Sequence, residues 1–88
     1  MLEDDLKEFF SEYYKLVYYI NKADFGKMNK TGRRKFYDWL NKEIASIYKK
    51  YDHTICANEF VNECMHSVIH FTERKMGVDL ANGNGIKI

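Results

Sequence analysis

Apolar residues recur at helical spacing along most of this chain. Leu2, Leu6, Phe9, Tyr13, Leu16 and Ile20 follow one another in alternating steps of four and three, the seam of a heptad pattern. Phe10, Tyr14 and Val17 widen that seam, so a first helix of ~20 residues, or ~30 Å, is expected. A second helix is expected from about Thr31 to Tyr51. Phe36, Leu40, Ile44, Ile47 and Tyr51 share its inward stripe, with Tyr37 and Tyr48 at the margin. A third runs from near Thr54 or Asn58 to Met76, with Val61, Cys64, Met65, Val68, Phe71 and Met76 on its apolar side.

Gly26 and Gly77 fall where periodic segments stop and read as C-terminal caps, and the chain has no proline. Three amphipathic helices with short connections predict an all-α, three-helix bundle over residues 1–76. Residues 77–88, "GVDLANGNGIKI", break the period. An Asn-Gly pair between Val78-Asp79-Leu80 and Ile86-Lys87-Ile88 suits a type I′ hairpin. A lone two-stranded hairpin is marginal in water. The tail is therefore expected to dock on the bundle, pair with a second copy, or stay disordered.

The pattern also points to self-association. "EYYKLVYY" sets Tyr13, Tyr14, Tyr18 and Tyr19 around much of the first helix, more aromatic surface than one small core covers. A chain of 88 residues buries a limited core, and a homodimer would offset that. The alternative is a broad intramolecular core with tyrosine hydroxyls reaching water.

Composition narrows the class. The 45% hydrophobic and 16% aromatic fractions are too high for a disordered chain. No apolar run approaches the ~20 residues of a membrane span, so no membrane partner is expected. The acidic start "MLEDDLKEFF" is the opposite of a signal peptide. Cys56 and Cys64 are too few for a disulfide scaffold. A cytoplasmic protein is the expectation.

The net charge of +1 hides an asymmetry. Residues 1–24 carry −3, residues 25–51 carry +6 and residues 52–88 carry −2. The basic segment, "KMNKTGRRKFYDWLNKEIASIYKKY", sets Arg33, Arg34 and Lys35 where the second helix begins. That end of a helix carries partial positive charge and prefers anions. Lys35, Lys42 and Lys49 are seven apart and line up opposite the core stripe. Lys27 and Lys30 precede the helix, and Lys50 adjoins the ridge.

Such a ridge, beginning at free backbone N–H groups, suits phosphate. Guanidinium groups donate two hydrogen bonds at once, and contacts along a backbone are salt-sensitive. Trp39 and Tyr37 add stacking surface for an unpaired base. With only Asn41 placed to read an adenine edge, sequence specificity is expected to be low. The candidate nucleic-acid-binding residues are thus Lys27, Lys30, Arg33, Arg34, Lys35, Trp39, Lys42, Lys49 and Lys50, with RNA or single strands favoured over duplex DNA. Two plainer readings stand beside this. The ridge docks on an acidic partner, either another protein or the acidic start of the first helix. Or it is a solvated face, with Asp38 and Lys42 as an ordinary i,i+4 pair.

The third helix carries "NECMHSVIHFTER", with His66 and His70 four apart on one face. That spacing can chelate zinc. However, Ser67 stands where an H-E-x-x-H helix needs its glutamate, and no C-x-x-C pair exists. The histidines are the only metal candidates, and no metal or other cofactor is expected. Neither the His66–Glu63 and His70–Glu73 pairs nor Cys64, on the apolar stripe, form a recognisable catalytic set. No enzymatic activity is expected.

The Lys-, Asn-, Ile- and Tyr-rich writing of the chain, in runs such as "YYKLVYYINK" and "SIYKKY", resembles short accessory proteins of tailed phages with AT-rich genomes. The likeness is one of composition and carries no motif. It implies a small non-enzymatic antagonist, met in the host cytoplasm, that binds a host factor or its RNA. Some phage products of this kind inhibit host defence toxins through RNA binding.

Overall fold

The computed structural model describes residues 3–51 and 57–82. Three helices, α1 (Glu3–Lys22), α2 (Lys30–Tyr51) and α3 (Ala57–Ala81), pack as a bundle, with one 3-10 turn at Phe25–Lys27 between α1 and α2. No strand occurs among the described residues. The all-α, three-helix expectation holds.

Local chemistry accounts for the ends. Glu3, Asp4 and Asp5 occupy the first turn of α1 and Lys22 the last, which complements the helix dipole at both poles. Asp24 Oδ1 then accepts from the Gly26 amide at 3.1 Å and opens the 3-10 turn. Asn29 caps α2: its Oδ1 accepts from the Gly32 amide at 2.7 Å, and its carbonyl takes the Arg33 amide at 3.0 Å. α2 therefore begins one residue earlier than Thr31.

The core joins Phe9, Leu16 and Ile20 of α1 to Leu40, Ile44, Ile47 and Tyr51 of α2 and Val61, Cys64, Met65 and Val68 of α3. Phe9 is its hub, with ring centroids 5.4 Å from Tyr51 and 5.6 Å from Phe60. Each large side chain of this kind contributes about 1.5–3 kcal/mol when fully buried. Thr72, a polar residue, is also buried, and its hydroxyl donates to the Val68 carbonyl at 2.8 Å.

Both glycine caps need correction. α1 ends at Lys22, and Gly26 lies buried in the 3-10 turn. Its requirement is close approach, because a Cβ there would stand 2.7 Å from the Asp79 carbonyl oxygen. Gly77 ends nothing. α3 runs through it to Ala81, so Val78-Asp79-Leu80, the first arm of the expected hairpin, is helical. A boundary between residues 76 and 77 thus cuts a continuous helix.

The cause is tertiary. Lys75 pairs with Asp79 at 2.9 Å, one turn on, and also donates to the Ala23 carbonyl. Asp79 Oδ2 accepts from the Phe25 amide at 3.0 Å. These bonds tie the last turn of α3 to the α1–α2 connection and outweigh the ~1 kcal/mol that a mid-helix glycine costs. Residues 83–88, with the second arm, lie outside the described residues.

Candidate nucleic-acid interface

α2 sorts its cations by direction. Phe36, Leu40, Ile44 and Ile47 turn it inward, so Lys35, Lys42 and Lys49 stand on the outward face, all exposed. Lys30 and Arg34 are exposed in the first turns and line a depression with Thr31. Among the described residues, none of these five cations makes an ion pair within 4.0 Å. Asp38 is the acid between Lys35 and Lys42 on this face, and it too is exposed.

Three further cations have partners within the chain, although Lys27 and Lys50 remain exposed. Arg33 is half-buried and folds back so that Nη1 donates to the Met28 carbonyl at 2.7 Å. Lys27 sits 4.0 Å from Asp24 across the 3-10 turn. Lys50 reaches over to α1, where it bonds Glu8 and lies 3.1 Å from Glu12. Those two carboxylates raise the Lys50 ammonium above its ordinary pKa. Burial, together with the same Glu12 carboxylate, holds the adjacent Tyr51 hydroxyl well above the usual phenol range, and that hydroxyl donates to Glu12 at 2.7 Å. The acidic side of α1 therefore takes Lys50, and among the described residues Lys30, Arg34, Lys35, Lys42 and Lys49 make no ion pair.

Trp39 stands four residues after Lys35, rotated toward α1. Its ring lies edge-on to Tyr19 at 5.7 Å and 5.4 Å from Phe36. A groove of about 450 Å³ opens there between α1 and α2, lined by Lys15, Tyr19, Lys22, Met28, Trp39 and Glu43 among others. Trp39 thus borders the lysine ridge and faces the groove, half-exposed. The sequence pattern does not single out Lys15, Tyr19 and Lys22 as groove residues. Of the three, Tyr19 belongs to the tyrosine excess of α1, which the pattern assigns to self-association.

The other candidates are dispersed. His66 and His70 are both exposed on α3. No group of three or more His, Cys, Asp or Glu able to hold a metal ion occurs among the described residues. Burial, with a contribution from Glu63, raises the Cys64 thiol above its ordinary pKa, the opposite of what a nucleophile needs. Cys56 lies outside the described residues. No helix among them is long and apolar enough to cross a membrane.

Comparison with protein-family models, with curated proteins and with solved structures finds no match for this chain.

Proposed function

We propose that this chain is a small non-enzymatic protein that binds RNA or another single strand along α2. Lys30 and Arg34 would take phosphates at the helix start, Lys35, Lys42 and Lys49 would follow the backbone, and Trp39 would stack a base at the groove edge. The observation that carries the reading is five exposed cations on one helix, three of them aligned, without an ion-pair partner among the described residues. An anion relieves their mutual repulsion and meets the positive pole of α2 as well. The compositional resemblance to phage accessory proteins supports a role as antagonist of a host RNA-acting or defence factor in the host cytoplasm.

The test is a titration of labelled single-stranded RNA at several salt concentrations. Five phosphate contacts give a log–log salt slope of about −3.5, and removing three leaves about −1.4. Lys35→Ala/Lys42→Ala/Lys49→Ala is the informative variant, because all three side chains are exposed and make no ion pair among the described residues. Loss of affinity together with a flattened slope supports the reading. Wild-type protein that ignores RNA at low salt ends it, and an acidic protein becomes the partner to seek for the same ridge.

A further inference from the structure

A second surface is built on α1, adjoining the groove at Tyr18 and Lys22. Phe10, Tyr14 and Tyr18 stand four apart and remain 48%, 70% and 40% exposed. Phe60 of α3, 37% exposed, extends the row, its ring 5.9 Å from Phe10. Tyr14 and Tyr18 stack on each other at 6.1 Å, and Lys22 lies 4.9 Å over the Tyr18 ring. The three rings of α1 span about 12 Å along the helix. Aromatic rows of this kind belong at interfaces, not in open water.

Charge says what covers the row. The start of α1 holds Glu3, Asp4 and Asp5 against the single base Lys7, 3.7 Å from Glu3, with Glu8 already bonded to Lys50, whereas residues 15–22 hold Lys15 and Lys22 and no acid. A helix acidic at one end and basic at the other, with an aromatic row between, complements its own antiparallel image. Two copies related by a two-fold axis at Tyr14 set each Phe10 against the other copy's Tyr18. The same operation brings each Glu3 and Asp4 toward the other copy's Lys22. The helix dipoles also oppose one another in this arrangement, whereas a parallel pairing sets acid against acid at one end and lysine against lysine at the other.

We infer that the chain forms a two-fold dimer through antiparallel α1 helices, with Tyr14 at the axis and the Glu3/Asp4–Lys22 ends as reciprocal ion contacts. No residue of the lysine ridge takes part, so the dimer presents two ridges; Lys22, which also lines the groove beside Trp39, is the residue it shares with the RNA-binding reading.

Sedimentation of the whole chain tests it. Wild type is expected at twice the 10.5 kDa of one chain at high concentration. Tyr14→Lys is expected to raise the dissociation constant about tenfold or more with unchanged circular dichroism. Lys22→Glu alone and Glu3→Lys/Asp4→Lys alone are each expected to weaken the dimer, and their equimolar mixture to recover it as a heterodimer. That recovery occurs only if unlike ends meet. Wild type monomeric at millimolar concentration overturns the inference and leaves the row to a different protein. A dimer indifferent to Tyr14→Lys, or charge variants that do not rescue each other, overturns it equally.

Discussion

The Phe25 amide donates to Asp79 Oδ2 at 3.0 Å across 54 residues of chain. Around that bond, Lys75 pairs with the same carboxylate oxygen at 2.9 Å and lies 5.5 Å over the Phe25 ring. Phe36 closes the ring edge-on at 5.0 Å, and Gly26 lets the Asp79 carbonyl approach. The last turn of α3 thereby fixes the α1–α2 connection, and with it the point at which α2 and its cations begin.

Removing the Asp79 carboxylate should therefore loosen a distant junction. Burial alone would raise its pKa, but the bonds from Lys75 and the Phe25 amide prevail and hold it below the usual carboxylate range. Asp79→Ala is expected to cost about 2 kcal/mol in denaturant unfolding at neutral pH, the scale of hydrogen bonds to a charged group. A depressed folded pKa contributes stability that is complete above the unfolded value of about 3.9 and lost as pH falls below it. The gap between wild type and Asp79→Asn should accordingly shrink as pH falls below about 4. A gap that is constant from neutral pH to about pH 3 would show that the ion pair contributes nothing.

The two glycines should respond in opposite directions to the same substitution. Gly26→Ala places a Cβ 2.7 Å from backbone oxygen, and the junction must shift, at about 1–3 kcal/mol. A Cβ on Gly77 meets nothing within 4 Å, and alanine in a helix is favoured over glycine by about 0.5–1 kcal/mol. Each kcal/mol moves the melting temperature of a chain this size by about 4–8 °C. Thermal melts should show Gly26→Ala falling and Gly77→Ala rising. A fall in both would mean that α3 does stop near Gly77.

How much of this was legible in the sequence depended on the range of the forces involved. Phe9, Leu40 and Val68 announce themselves as core through a 3.6-residue period that any short window contains. Phe25 belongs to no periodic run, and its burial depends on a helix end 54 residues away. The same distance hid the true end of α3, because Asp79 and Lys75 look like an ordinary surface pair until Phe25 and Ala23 are set beside them. The cations divide similarly. Their positions on α2 separate Lys42 and Lys49 from the core, but that Lys50 would cross to Glu8 and Glu12, or that Arg33 would fold onto Met28 while Arg34 does not, requires the packed neighbours.

That division of labour among the cations is testable by comparing stability with affinity. Arg33→Ala removes the bond to the Met28 carbonyl and should cost about 1 kcal/mol. Lys50→Ala should lower stability in a salt-sensitive way by freeing Glu8 and Glu12. Neither should change RNA affinity more than about twofold, the smaller share expected of a residue outside the contact set. Lys42→Ala and Lys49→Ala should do the reverse, with each removing about 0.7 from the salt slope and leaving the melt unchanged. If Arg33→Ala or Lys50→Ala flattens the slope as much as Lys42→Ala does, the phosphate path runs along a different side of α2.

Trp39 offers the most direct reading of the groove, because it is the chain's single tryptophan and stands half-exposed where ridge and groove meet. A base that stacks on the indole or enters beside Tyr19 changes its emission, while phosphates bound only along the lysines leave it nearly untouched. Selective excitation of the indole during titration with an unstructured oligonucleotide should thus give quenching that saturates along the same isotherm as anisotropy. Lys42→Ala/Lys49→Ala should shift that isotherm to higher concentration yet reach the same final quenching. Tyr19→Ala, which removes the ring 5.7 Å from Trp39, should reduce the quenching and weaken binding by about tenfold, within the ~1–3 kcal/mol of one stacked base. Anisotropy that rises while the indole emission stays constant would confine binding to the lysine ridge and leave Trp39 as packing between α1 and α2.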